Sequence, residues 1–448
     1  MRSSLLGSAL ALSAVAVAAP SSAAAPLSLV AIGDWGGDSD EHPTTAAQVA
    51  AAAGMAKIAD EVNADSILLL GDNFYTHGVS SSTSSRFNET FEQVGFVRYC
   101  KCSALTISGL CCASPLTHRP TPPQVYDVEH FGKLPFHVVA GNHDHYGNVQ
   151  AQLDYHGSAR WNFPSVSGRV WRGGYCFSGG LPRGAETYST GSNKREESDQ
   201  RAHRANGASQ PILSTPNCNV VLLCARRHAR NSPHPPQPRQ LYYTLPFNFT
   251  STSGVKRSVE IIMVDTVELV GECTDGGDWV GCPRAVPAHK VDAAESQWQW
   301  LQEQLDGSKA DFLWVAGHFP IYSAGSDGTT ADLVDRLLPM LKKAGAHYIS
   351  GHDHMHEHIL YEGVHMFVTG PGRFCCYDPV HWSTVPTGAM QFMISGNGGT
   401  GKNVGPKVEG GMQAGFSTME FDDAVQIKMY KEDGTAVWVP APIAPRSL

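Results

Sequence analysis

The chain is short of positive charge: 33 Lys and Arg stand against 42 Asp and Glu in 448 residues, a net of −9 with histidines neutral. An acidic chain with no basic helix cannot neutralise a phosphate backbone, so no nucleic-acid partner is expected. Long apolar runs are also missing. After the leader no stretch approaches the roughly 20 apolar residues that a bilayer crossing needs, so stable membrane insertion is not expected either. What the chain does have is 42% hydrophobic residues, enough for a substantial core.

The start, "MRSSLLGSALALSAVAVAAPSSAAAPLS", has one basic residue, a short apolar run broken by Pro20, and small residues around Ala23 to Ala25. It reads as a cleaved secretory signal over residues 1–25, which predicts a secreted, lysosomal or vacuolar protein. Two glycosylation sequons agree with that route, "NET" at Asn88 and "NFT" at Asn248. The 11 cysteines are an odd number, and "CTDGGDWVGC" reads as a loop closed by a Cys273–Cys282 disulfide.

Apolar runs that end in glycine and a polar residue recur as "LSLVAIGDWG", "SILLLGDNFY", "FHVVAGNHDH", "FLWVAGHFP" and "HYISGHDH". Each reads as a buried strand leading into a loop that presents polar side chains. Helical patterns lie between them, "TTAAQVAAAAGMAKIADEVN" and "AAESQWQWLQEQL", the second with Trp298, Leu301 and Leu305 on one face. Strands alternating with helices give an α/β sheet with ligands at the carboxyl ends of its strands. The later stretches "HILYEG", "VHMFVTG", "QFMISG", "GFSTMEF" and "AVQIKMYKEDG" read as short strands of a second sheet packed on the first.

Two segments interrupt this order. Residues 97–124 and 166–240 lack periodicity and hold seven of the 11 cysteines; they carry three Lys/Arg against no acid, and eleven against four. Both begin with Val and end with Gln, whose codons can supply the GT start and CAG end of an intron. They read either as retained introns or as disordered surface inserts. The expected organisation is a signal over 1–25, one catalytic domain over 26–438 interrupted by these two segments, and a C-terminal tail over 439–448.

The strand ends offer Asp34 in "GDWGG", Asp72, Asn73 and Tyr75 in "GDNFY", Asn142 and His143 in "GNHDH", His318 in "AGHFP", and His352 and His354 in "GHDH". Carboxylates, a phenol, an amide oxygen and imidazoles are the donors that a pair of metals needs, with a central carboxylate such as Asp72 able to bridge them. The hard anionic donors Asp34 and Tyr75 suit a trivalent iron; the neutral donors Asn142 and His318 suit a divalent neighbour. The stretch "YISGHDHMHEHIL" places a histidine at every second position from His352 to His358. On a strand these rings would share one face, whereas the preceding glycine favours a turn in which they diverge.

Taken in order, "GDWGG…GDNFY…GNHDH…AGHFP…GHDH" resembles the metallophosphoesterases, and Tyr75 in its place resembles the purple acid phosphatases of the mammalian, tartrate-resistant type. The resemblance extends through "RFNETFE", "RWNFPS" and "SQWQWLQEQL" and skips both odd segments. It implies two mixed sheets packed as a sandwich flanked by helices. It also implies that Asp34, Tyr75 and His354 hold a ferric ion, that Asp72 bridges, and that Asn142, His318 and His352 complete a site for Fe(II), Zn or Mn. His143 would contact the substrate phosphate, while His356 and His358 match no ligand position and would be outer residues or solvated. The implied reaction is hydrolysis of phosphate monoesters or phosphoproteins at acid pH by a metal-bound hydroxide, in a monomer. One departure concerns the leaving group. The family pattern puts a histidine nine residues after His318, where this chain has Asp327, which can donate a proton only with a raised pKa. Rival readings are a divalent-metal phosphodiesterase or nucleotidase, and a non-catalytic metal-binding surface protein.

Overall fold

A computed structural model of the chain describes residues 24–92, 131–164, 240–271, 288–376, 380–394 and 411–447. The segments 97–124 and 166–240 lie almost wholly outside these, as do most of the leader and the Cys273–Cys282 loop. All described residues belong to one compact unit. In chain order its elements are β1 (Leu27–Ile32), α1 (Ala46–Glu61), β2 (Ser66–Leu70), β3 (Phe136–Val139), α2 (Asn142–Tyr146), α3 (Val149–Leu153) and β4 (Trp161–Asn162). Next come β5 (Tyr243–Thr250), β6 (Lys256–Met263), α4 (Thr266–Val270), α5 (Ala288–Gly307), β7 (Phe312–Ala316), α6 (Leu338–Ala344) and β8 (His347–Ser350). The last strands are β9 (His356–Tyr361), β10 (Val364–Thr369), β11 (Met390–Ile394), β12 (Gly415–Phe421), β13 (Val425–Lys431) and β14 (Ala436–Trp438).

These strands form two seven-stranded sheets, ordered β14-β13-β12-β1-β2-β3-β4 and β11-β9-β10-β8-β7-β6-β5. Both are mixed. In the first, β1, β2, β3 and β4 run parallel and β12 pairs antiparallel with β1. In the second, β6, β7, β8 and β10 run parallel, with β5 and β9 antiparallel at the flanks. The period of two explains the layering. On β7, Phe312, Trp314 and Ala316 face the first sheet's Leu29, Ala31 and Met419 in one core, while Leu313 and Val315 pack outward against Trp298, Leu301 and Leu305 of α5. Helix α1 covers the first sheet through Met55 and Ile58. It starts at a capping box: Thr45 Oγ1 accepts from Gln48 N at 3.0 Å and Gln48 Oε1 accepts from Thr45 N at 3.3 Å. The expected sandwich of two mixed sheets flanked by helices is therefore the observed fold. Beyond β14, Ile443 pairs with Val425, and the Arg446 guanidinium donates to the carbonyls of Ala310, Ala344 and Ser308.

The four alternating histidines divide between the two geometries that the sequence leaves open. His352, at φ +73°, lies in a turn, as does His354, and strand β9 begins at His356. His356 and His358 then share one strand face, and that face is buried, so neither is solvated. His356 Nε2 donates to Tyr430 O across to the first sheet at 3.0 Å. His358 stacks on Phe367, accepts from Trp438 Nε1 at Nδ1 (3.3 Å), and sits 3.0 Å from His365. Outer positions on a strand of this sandwich still face the partner sheet, which the local alternation does not reveal.

Burial pushes His356 down to about 4, and burial together with His365 pushes His358 down to about 3. The folded protein keeps both rings neutral where the unfolded chain, with histidines near 6.5, takes up protons. Their contribution is complete above pH ~6.5 and is lost as pH falls toward the folded values, by at most about 1.4 kcal/mol per pH unit per ring. Urea denaturation at about pH 7 and about pH 5 is expected to give a lower stability at the acid value. His358→Gln should flatten that dependence, and an unchanged slope in this variant would remove His358 from the account.

Candidate metal centre

The parallel strands β1, β2 and β3 of one sheet and β7 and β8 of the other end at the same edge, and each delivers a loop to it. The two sheets meet there through backbone. Gly33 N, after β1, donates to Thr369 O of β10 at 2.9 Å, and Gly415 N of β12 donates to Pro371 O, after β10, at 2.8 Å. Glycines at the strand ends make room for the side chains that converge on this edge. A Cβ on Gly71, itself at φ +92°, would lie 2.4 Å from His318 Nδ1, and one on Gly141 would lie 2.3 Å from Asp72 Oδ1.

The loops bring together all seven residues singled out as metal donors. Tyr75 Oη lies 3.1 Å from Asp34 Oδ1 and 3.0 Å from His354 Nε2, which is itself 3.7 Å from Asp34. Beside this group, His318 Nε2 lies 2.9 Å from Asn142 Oδ1 and 3.4 Å from Asp72 Oδ1. The His352 ring sits 5.0 Å from the His318 ring, and the His352 main-chain N–H donates to Asp34 Oδ2 at 2.7 Å. Asp34, Asp72 and His318 offer ligand atoms within 4.8 Å of one another, and all three side chains are buried.

The donor set fits a cation on chemical grounds. His318 Nδ1 donates to Leu70 O at 2.8 Å, so Nε2 is the ring nitrogen turned toward two acceptors, Asn142 Oδ1 and Asp72 Oδ1. Such a meeting is repulsive unless a positive charge lies among the three. The carboxylates give the same result. Burial and then the charge of Asp72 push Asp34 well above the usual carboxylate range. Burial acts on Asp72 in the same direction, but the imidazoles of His318, His143 and His352 hold it below that range. Burial and then His318 push His352 down to about 3, which keeps its ring neutral and able to ligate.

Three of the converging residues have backbones in the left-handed region, Asp34 at φ +58°, Asp72 at +51° and His352 at +73°. Each costs on the order of 1–3 kcal/mol and needs surroundings that over-determine it. Buried residues outside the donor set provide them. Arg86 donates to Thr90 Oγ1, to Tyr75 O at 2.7 Å and to Gly36 O at 2.8 Å, tying the tyrosine loop to the Asp34 loop. Asp144 accepts from Asn73, Phe74, Gly141 and Gln152, tying the "GDNFY" and "GNHDH" loops together. Burial, then Asp72, raises the Asp144 carboxyl to about 6. Thr266, at the start of α4, accepts from His318 N and Phe319 N, and the α4 cap Asp265 lies 2.8 Å from His145. Asn73 and Asp144 stand within the quoted strand-end stretches, where their neighbours hint at them; Arg86 opens the quoted "RFNETFE" without a role read for it, and nothing local marks Asp265.

His143 Nδ1 donates to Thr76 O at 2.6 Å, leaving Nε2 3.9 Å from Asp72 Oδ2. Asp327 is exposed, with its main-chain N–H on Asp353 Oδ1 at 3.1 Å, and its charge reaches Asp34. At Gly36 a Cβ would come within 2.3 Å of the Asn73 carbonyl carbon, so no larger residue has space after "DW".

The calcineurin-like phosphoesterase family matches residues 27–262. Human tartrate-resistant acid phosphatase type 5 is 29% identical over 369 residues, covering 82% of this chain and 79% of that protein. Purple acid phosphatase 17 of Arabidopsis thaliana is 22% identical over 387 residues, covering 85% and 78%. Among solved structures, Plasmodium GAP50, described as the anchor in the inner membrane complex, superimposes with a TM-score of 0.56 at 19% identity over 94% of this chain and 90% of its own, a likeness of fold alone.

The geometry separates the four histidines experimentally. His352→Ala or His354→Ala should lower metal affinity by about tenfold to a hundredfold or more. His358→Ala should leave metal stoichiometry unchanged while lowering stability by roughly 1–3 kcal/mol through lost packing. Metal analysis after dialysis, paired with urea denaturation, checks both; equal metal loss from His354→Ala and His358→Ala would contradict the division.

Proposed function

The chain belongs to the calcineurin-like phosphoesterase family and is a phosphatase, and from that premise we propose that it hydrolyses phosphate monoesters at acid pH with a ferric ion and a divalent Fe(II), Zn or Mn neighbour. The observation that carries the proposal is the Tyr75 hydroxyl, buried between Asp34 and His354 at 3.1 and 3.0 Å. A phenol with an ordinary pKa near 10 ionises at acid pH only against a strongly charged ion, which favours the trivalent choice. In this reading Asp34, Tyr75 and His354 would hold the ferric ion, Asn142, His318 and His352 would hold the divalent one, and the Asp72 carboxylate would serve both. When bound, the two cations neutralise phosphate oxygens and acidify water.

The remaining chemistry belongs to side chains. Thr76 O fixes the His143 proton on Nδ1, so Nε2 is the atom that takes up and returns a proton beside a bound phosphate oxygen. Asp327 stands exposed on a loop pinned by Asp353, where a carboxylic acid could protonate the departing alkoxide. Arg86 and Asp144 keep the donor loops in register, and so preserve the alignment that in-line displacement needs.

Asn88 and Asn248 are both exposed, as glycosylated sequons must be, and among the described residues no helix is long and apolar enough to cross a membrane. The exposed sequons support a glycosylated protein, secreted or lysosomal; it would act as a monomer on small phosphate monoesters or phosphoproteins. One domain spans 26–438, with 97–124 and 166–240 as inserts or retained introns.

Purified, oxidised protein should be purple or pink and should turn over an aryl phosphate with an optimum below neutrality in a series from about pH 4 to about pH 9. Tyr75→Phe should bleach the colour while Asp34, Asp72 and His354 retain metal at reduced affinity. Colourless, fully metallated protein containing divalent ions alone would replace this reading with a divalent-metal phosphoesterase.

A further inference from the structure

The segment 370–376 comes after β10 and contains no residue used in the proposed chemistry. It is nonetheless pressed against the centre. Gly372 N donates to Gly33 O at 3.1 Å, and Thr45 Oγ1 at the start of α1 donates to Arg373 O at 2.9 Å. These two anchors set the next side chains. The Arg373 guanidinium carbon lies 3.7 Å from the centroid of the Tyr75 ring, and the Phe374 ring lies 4.2 Å from that of His354. Two consecutive residues therefore cover the tyrosine and the histidine of the same half of the centre.

The guanidinium is held in that position. Its Nη1 donates to Gly37 O at 3.0 Å and to Asp38 Oδ1 at 2.9 Å, the side chain is only 14% exposed, and Nε is buried with no hydrogen-bond partner among the described residues. An arginine built to grip a substrate phosphate would turn its donors toward the cleft. Here Nη1 is turned to a main-chain carbonyl and an acid, and the flat face covers the aromatic ring.

A cation over an aromatic face is attracted by the ring's electron density, more strongly where water is excluded. The attraction grows when the ring's oxygen is anionic, because that charge spreads into the ring. We infer that Arg373 is a positioning and charge-tuning residue for Tyr75, stabilising it as an anionic ligand and fixing its ring, while Phe374 packs His354. This rests on the reading of Tyr75 as the ferric ligand. Because the guanidinium sits over the ring and not over the oxygen end, it stabilises the filled ring orbital more than an ion bound at the oxygen, and so sets the energy of the ring-to-iron transition.

The test uses ferric-loaded wild-type protein, R373M, R373K and F374L, with the visible spectrum and competition against an iron chelator as readouts. R373M should move the visible band to longer wavelength and lower ferric affinity by about tenfold. R373K, which keeps the charge and loses the plane, should fall between, and also serves if R373M does not fold. F374L should leave the band in place. A wild-type band that R373K and every folded R373M preparation reproduce would overturn this inference alone; wild-type protein that holds iron without a visible band would overturn both it and the assignment of Tyr75.

Discussion

Two carboxylates, Asp34 and Asp72, are buried within one small group of donors where the sheets meet, and their repulsion governs the rest of the site. Burying like charges together is strongly unfavourable without counter-charge. The chain's own answer is partial: His318, His143 and His352 lower Asp72 against its burial, while the other charges that reach Asp34, those of Asp72 and Asp327, raise it. The fold thus carries a deficit of positive charge at one defined point. The same point gathers a phenol, an amide oxygen and three acceptor nitrogens, a set suited to cations held in proportion to their charge.

A deficit of this kind is useful only if the loops cannot relax away from it. Left-handed backbones at Asp34, Asp72 and His352 store strain that loose loops would release. Arg86 and Asp144 prevent that release, one as a cation clasping the carbonyls of Gly36 and Tyr75, the other as an anion gathering four neighbours. The sheets supply the rigid base, since each donor loop leaves a parallel strand bonded on both sides. Arg373 and Phe374 add an outer wall to the tyrosine and histidine.

The histidine stretch shows how one sequence pattern can serve two ends. Gly351 and the left-handed His352 break the alternation, so His352 and His354 reach the centre, whereas His356 and His358 enter β9 and join the seam between the sheets. The first pair stays neutral where donor atoms are needed. The second pair stays neutral because the seam is dry, which makes folding sensitive to the acidity in which the proposed chemistry operates.

By itself the sequence placed β1, β2, β3, β7 and β8 and the polar residues at their carboxyl ends, because a buried parallel strand ending in glycine and a polar residue has a local signature. The order of the strands in the two sheets, and strands β4 to β6, came only with the structure. Helix α1 and the inward face of α5 were legible from their period. Only the tertiary structure decided that both faces of β9 are buried from His356 to Ile359, that Arg86 and Asp265 serve the centre, and that Arg373 lies on Tyr75. These depend on pairs as far apart as Tyr75 and Arg373, joined when β10 docks beside β1, and no periodicity within either segment encodes a contact made by the other.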